Sequence, residues 1–187
     1  MIYPKKISSK KSNIIMTSLM GFSVLVGIIL FVINKLTTPD LHWAALSNAG
    51  IIYCWVVVIY SVNRNINIGG HVVLQTIALS ALATYIDYVL GFEGWSINIA
   101  IPILIIIANT TMLVLTIVSS KKYIRYGVFQ FVILLFSGIP IYLIYKDLAT
   151  NPILCYVASW ISLLNLVITL VLSAKDFRES IVRNFHF

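Results

Sequence analysis

One acidic residue, Asp87, stands inside an otherwise charge-free apolar run, and no other residue in the chain is better placed to do chemistry. A carboxylate in the hydrocarbon core of a bilayer costs several kcal/mol, so one retained there marks a site for a cation, a proton or a polar solute, unless it lies where water or a partner reaches it. Counted from Gly70 at about 1.5 Å per residue, Asp87 falls about 25 Å along its helix. That is close to the far interface, where it is expected either to be solvated or to pair with Lys35 or Lys146, in an interfacial or structural role. Two amides, Asn48 and Asn98, and the aromatic residues Trp43, Tyr88 and Trp95 are expected at the same depth. Small-ligand pockets have apolar walls and a few convergent polar groups. Asp87, Asn48, Asn98, Trp95, Trp43 and Tyr88 are therefore the expected ligand-binding set. The competing expectation is an aromatic belt that also takes in Tyr85, Tyr142, Tyr145, Tyr156 and Trp160, because amphipathic rings favour the interface whatever the function.

Catalytic chemistry finds no comparable set. His42, His71 and His186 are scattered, no HExxH pair occurs, and no Cys and His residues share metal-ligand spacing. There is no nucleophile elbow and no acidic pair within an apolar run. No enzyme activity, metal or cofactor is expected. Deeper polar residues, Asn109, Thr110, Thr111, Ser162 and Asn165, are expected to hydrogen-bond between helices. Small residues gather at Ala78, Ser80, Ala81, Ala83 and Thr84, which makes the third helix the expected interior of the bundle. Pro102, and Pro140 with Gly138, fall within apolar runs; proline frees a carbonyl that a neighbour or a solute must satisfy. Cys54 and Cys155 differ in expected depth by roughly 10 Å, beyond the ~7 Å a disulfide closes, and read as small packing residues.

The elements that position these residues follow from composition. Of 187 residues, 60% are hydrophobic and 10% charged, and the mean hydropathy is +0.98. Soluble domains carry roughly 25% charged residues, so lipid must be the solvent for most of this chain. Charges punctuate it into six apolar runs, about 14–34, 42–63, 70–91, 95–119, 125–145 and 152–174, each long enough to span once. Breakers between them, Thr37 to Asp40, Asn63 to Gly70, Gly91 to Gly94 and Thr150 to Pro152, leave connections short enough for three antiparallel hairpins. The expected fold is an all-α, six-span membrane domain over 14–174. It follows a basic segment over 1–13 and precedes a short amphipathic tail over 175–187, whose Phe177, Ile181 and Phe185 form an apolar stripe suited to the inner leaflet.

Orientation follows from Lys and Arg. On the side that holds the N-terminus lie Lys5, Lys6, Lys10, Lys11, Arg64, Lys121, Lys122, Arg125, Lys175, Arg178 and Arg183, against Lys35 and Lys146 on the other. That bias places both termini in the cytoplasm and the chain in the plasma membrane. The N-terminal lysines suit anionic headgroups, at about 1 kcal/mol each; topology accounts for them without a nucleic acid. The first run is too long for a signal-peptide core and Asn34-Lys35-Leu36-Thr37 is no small-residue cleavage site, so it is expected to be retained as a helix. His42-Trp43, Gly94-Trp95 and Ser159-Trp160 recur at the tops of three helices, as an internal repeat or an ordinary interfacial pattern would produce.

The stretch from Asp87 through Gly91, Gly94, Trp95 and Ser96 to Pro102 resembles an uncharacterised family of small Gram-positive bacterial membrane proteins. Some of its members carry a zinc ribbon ahead of the spans, and this chain has none. The resemblance implies a bacterial six-span protein and assigns no activity. Length, six spans and basic charge also look like the substrate-binding subunits of energy-coupling-factor vitamin transporters, which carry a small-residue docking motif in the first helix. Here the first run offers Gly21, Ser23 and Gly27, and the alanines sit in the third. Two functions are expected from these observations. One is binding or transport of a small solute or ion through an outward-facing aromatic and polar cavity. The other is a non-catalytic accessory, sensory or immunity-type subunit, working through membrane or cytoplasmic protein partners.

Overall fold

In hydrocarbon every backbone N–H and C=O must be satisfied within the protein, so long apolar runs fold as helices. The computed structural model describes residues 9–62, 68–118, 123–146 and 152–185, all of them in helices and the turns between them. The helices are α1 (Ser9–Thr37), α2 (Trp43–Val62), α3 (Ile68–Val89), α4 (Ile101–Val118), α5 (Tyr123–Tyr145) and α6 (Pro152–Phe185). A π-helical turn, Ser96–Ala100, leads directly into α4. Among the described residues, six segments are long and apolar enough to cross a membrane: Asn13–Thr37, Trp43–Ser61, Ile68–Val89, Ser96–Val118, Tyr126–Tyr145 and Pro152–Leu172. The chain is thus an all-helical protein of the multi-pass membrane class. Lys5, Lys6, Arg64, Lys121, Lys122 and Asp147 lie outside the described residues, as does the expected breaker at Thr150 and Asn151.

The chain divides into two compact units, one ending at Val56 and the other beginning at Val57, both within α2. In the first unit α1 and the start of α2 meet through polar contacts spaced along the pair. Trp55 Nε1 donates to Ser23 Oγ at 2.6 Å, and Asn48 Nδ2 donates to the Gly27 carbonyl at 3.3 Å. A Cβ on Gly27 would land on Asn48 Oδ1, so glycine is what lets that amide reach the α1 backbone. Most of the large apolar side chains on α1, among them Phe22, Leu25 and Phe31, are exposed.

The second unit is built around α4, which packs against α3, α5 and α6, while α5 and α6 form the most extensive helix pair. Each helix buries one stripe at spacings of three and four. On α4 and the turn before it the stripe is Ile97, Ile101, Ile105, Ala108, Met112 and Thr116; on α5 it is Tyr126, Gln130, Ile133, Ser137 and Pro140. On α6 it is Cys155, Ala158, Ser162, Asn165 and Thr169. The α5 and α6 stripes alternate three and four, the seam of left-handed helix packing. Small and polar side chains fill much of that seam, as expected where lipid is as apolar as leucine and close approach plus hydrogen bonding drives association.

Three expectations need correction. The interior helix is α4: 39% of its span is buried, against 22% for α3, and Ala81 of the α3 small-residue cluster faces outward. Small residues permit close packing, but they do not decide which helix is enclosed. Cys54 is exposed, so only Cys155 is a packing residue. Over the tail, α6 continues unbroken to Phe185 and no separate short helix forms there. The stripe of Phe177, Ile181 and Phe185 falls on side chains outside the described part.

Candidate functional site

Asp87 sits in the last turn of α3 and has no exposed surface. The helix stops in a Schellman arrangement: Phe92 N–H donates to the Asp87 carbonyl at 2.8 Å, and Gly91 N–H donates to the Tyr88 carbonyl at 3.3 Å. Gly91, at φ 107°, and Gly94, at φ 79°, supply the left-handed backbone, and Phe92 joins them at φ 55°. These bends fold the chain back over its own helix end and aim a series of backbone N–H groups at the Asp87 side chain. Oδ1 accepts from Glu93 N–H at 3.0 Å and Gly94 N–H at 3.3 Å. Oδ2 accepts from Ser96 N–H at 3.1 Å and from the Ser96 hydroxyl at 2.6 Å.

This geometry explains how a carboxylate is tolerated here. The first N–H groups of a helix have no intrahelical partner, and they carry a partial positive charge that favours an anion. Asp87 supplies that anion to the start of the π turn and α4, and hydrogen bonds to a charged acceptor are the strong ones, at about 1.5–3 kcal/mol each. An ionised carboxylate has about four acceptor positions, and four donors fill them. The partners the structure gives Asp87 are the amides and hydroxyl of the α3–α4 connection, and not Lys146. Lys146 instead lies 5.9 Å above the Tyr142 ring.

Asn98 lies in the π turn, buried, with its backbone N–H bonded to the Gly94 carbonyl at 3.0 Å. Trp95, half-buried, precedes that turn. The π register runs into Pro102. Ile101 N–H donates to the Ser96 carbonyl, five residues back, so the next donor in this register would be residue 102. Proline has no N–H, which leaves the Ile97 carbonyl free. The buried Cys155 thiol fills it from α6, with Sγ 3.6 Å from the oxygen. Near Pro140, Ser159 of α6 donates its hydroxyl to the Ser137 carbonyl at 3.0 Å.

The remaining members of the expected set make contacts of their own. Tyr88 follows Asp87 but is 73% exposed and points out of the bundle. Trp43 and Asn48 belong to the first unit. Trp43 Nε1 donates to Thr38 Oγ1 at 2.8 Å, and Asn48 Nδ2 donates to the Ala44 carbonyl at 2.8 Å as well as to Gly27. Asp87, Trp95 and Asn98 thus share one connection, Tyr88 turns away from it, and Trp43 and Asn48 are engaged within their own hairpin.

Sequence reasoning missed the residue that organises that hairpin. Asn34, on the last turn of α1, donates Nδ2 to the carbonyls of Thr38 at 2.7 Å and Leu41 at 2.6 Å. Its Oδ1 accepts Ala44 N–H at the start of α2, at 3.1 Å. Also missed were Gln130, Thr116 and Thr169, which extend a polar track among α4, α5 and α6. Asn109 Nδ2 donates to Ser162 Oγ at 2.7 Å, and Asn165 Nδ2 donates to the Asn109 carbonyl at 2.9 Å and to its Oδ1 at 3.2 Å. Gln130 Nε2 reaches Thr116 Oγ1 at 3.2 Å and Asn165 Oδ1 at 3.4 Å. The available signal was the three-and-four spacing of Gln130 with Tyr126, Ile133 and Ser137. Thr110 and Thr111, expected between helices, bond the carbonyls of Ile106 and Ile107 within α4 instead.

Among the described residues, no three or more His, Cys, Asp or Glu side chains gather as a metal-ligand group. Residues 3–187 match a family model described as a family of unknown function, DUF6320, and the chain belongs to that family. No curated protein and no solved structure matches it.

Proposed function

We propose that this member of a family of unknown function is a non-catalytic subunit of the bacterial plasma membrane. In this reading its spans form three antiparallel hairpins, both termini are cytoplasmic, and it works as an accessory, sensory or immunity-type protein through its helix faces and C-terminal helix. The observation that carries the reading is the Asp87 carboxylate. Its four acceptor positions are filled by Glu93, Gly94 and Ser96, which leaves no lone pair for a solute or cation at the only acidic residue within a span. The length of α6 adds support. A span needs about 20 residues, and α6 has 34. Past Leu172 it continues for 13 residues to Phe185 (185 − 172), which at 1.5 Å per residue is about 20 Å of helix. That is a ready handle for a cytoplasmic partner. The excess of Lys and Arg on the N-terminal side supports the orientation.

Native mass spectrometry of the protein, gently extracted from its own membrane, tests this. A stoichiometric protein companion is expected, and deleting residues 176–187 should release it while the bundle stays folded. A small-molecule adduct with no companion would overturn the reading. It would favour instead a small-solute or ion binding or transport protein with an outward-facing cavity around Asp87, Asn48, Asn98, Trp95, Trp43 and Tyr88. One observation favours that second reading: Asn98 lies in a π-helical turn, and such turns occur often at functional sites.

A further inference from the structure

The polar track among α4, α5 and α6 closes on itself except at one end. Gln130 is fully buried, and its Nε2 group points to two acceptors, Thr116 Oγ1 and Asn165 Oδ1. The Thr116 hydroxyl already donates to the Met112 carbonyl at 2.8 Å, so the amide orientation is fixed by acceptors on that side. Gln130 Oε1 is left, buried, with no donor, and turning the amide over would only move the orphan to the nitrogen. One helix away, Thr169 Oγ1 is buried and without a partner. Thr76, Thr84, Thr110, Thr111 and Thr116 each give their hydroxyl to the carbonyl four residues before; Thr169 does not.

The two orphans belong to one layer. Gln130 touches Asn165, one turn before Thr169 on α6, and Thr169 Cγ2 lies against Gly127, one turn before Gln130 on α5. One needs a donor and the other offers a hydroxyl. An unpaired amide oxygen away from water costs ~1–3 kcal/mol by mutational measures. The cluster contains amides and hydroxyls only, and the sole acidic residue of the spans is engaged elsewhere, at the α3–α4 connection. A cation here would be buried without a counter-charge, at a desolvation cost of several kcal/mol or more. A neutral molecule that donates and accepts fits. Thr169 lies three residues from the end of its span at Leu172, and Thr116 two from Val118. At 1.5 Å per residue both are within about 5 Å of that end of the spans, in reach of interfacial water.

We infer that a single water molecule binds between α5 and α6, donating to Gln130 Oε1 and accepting from the Thr169 hydroxyl. Buried waters bridge otherwise unsatisfied polar groups in this way, making about three hydrogen bonds each. The site makes one end of the α5–α6 seam wet while the α4 core around Ile105 stays dry.

Water-edited solid-state NMR of the whole protein in lipid nanodiscs tests it, with methyl groups of threonine and isoleucine labelled. Magnetisation from water should reach the Thr169 methyl several-fold faster than the equally buried Ile105 methyls, and Gln130→Leu should bring Thr169 down to the Ile105 rate. Thr169→Val, which keeps the shape of the side chain, serves where Gln130→Leu fails to fold: transfer from water to the Gln130 Nε2 protons should fall in the same way. Equal rates at Thr169 and Ile105 in the unaltered protein would overturn the inference, as would a transfer indifferent to both substitutions. A response present in sodium buffer and absent in choline buffer would also overturn it, since it would assign the site to a cation.

Discussion

Two helix connections in this molecule, α1–α2 and α3–α4, are each closed by one side chain from the last turn of the first helix, yet one uses an amide and the other a carboxylate. Asn34 donates to two carbonyls, Thr38 and Leu41, and accepts one N–H, Ala44. Asp87 accepts four donors and gives none. The difference lies in which backbone groups each turn leaves over. In α3–α4 the Schellman bonds and the left-handed residues Gly91, Phe92 and Gly94 tie up the carbonyls at the helix end and turn N–H groups inward. In α1–α2 the turn through Pro39 leaves carbonyls and an N–H facing the same point, which only an amide serves at both ends. The type of the closing residue is therefore dictated by the sign of the orphaned groups. A buried acid near a membrane interface is accounted for by helix ends alone.

Exchanging the chemistry of the two closing residues is the sharpest way to break this comparison. Asp87→Asn keeps the shape but turns an NH2 group toward a cluster of donors, and a loss of about 3 kcal/mol or more is expected in unfolding measurements in detergent. Asn34→Asp sets a carboxylate against the Thr38 and Leu41 carbonyls. Because this turn is only part-buried, the expected loss is smaller, about 2 kcal/mol, and should shrink as the new acid is protonated at low pH. Ser96→Ala removes the 2.6 Å hydroxyl bond and leaves the three backbone donors to Asp87, for an expected loss of about 1 kcal/mol. Glu93→Gln changes an exposed side chain whose contribution here is its backbone N–H, so unfolding should move by no more than about 0.5 kcal/mol. A Glu93→Gln effect as large as that of Asp87→Asn would mean that side-chain charge, and not the amide cradle, governs the turn.

The six spans were legible because charges are scarce and lipid tolerates few other folds: the runs punctuated by Lys35, Asp40, Arg64, Glu93, Arg125 and Lys146 match the six apolar segments of the described residues within a few residues. Asp87 was legible as an exception, by charge alone. Its role was not, because the donors it meets are backbone groups, and their direction depends on the left-handed turn at Gly91 to Gly94. The glycines and Ser96 were visible, but not the way they fold back. Asn34 was invisible for the same reason, since its partner Ala44 lies ten residues on, across a turn. The small residues of α3 pointed to the wrong interior helix because composition reports how closely a helix can be approached. How far a helix is enclosed, which makes α4 the most buried span, comes from the tertiary arrangement. Gln130 was passed over within a run read only for its apolarity, although its spacing placed it on the buried stripe.

Amide hydrogen exchange at Glu93, Gly94 and Ser96, in nanodiscs and compared between the unaltered protein and Asp87→Asn, tests the central claim most directly. If the Asp87 carboxylate closes the connection, these three N–H groups are protected in the unaltered protein. They should then exchange about 100-fold faster in the variant, as a local loss of about 3 kcal/mol requires. Rapid exchange at all three in the unaltered protein would contradict the account. So would protection untouched by Asp87→Asn in a variant that had lost the binding of a solute, which would return Asp87 to a ligand site.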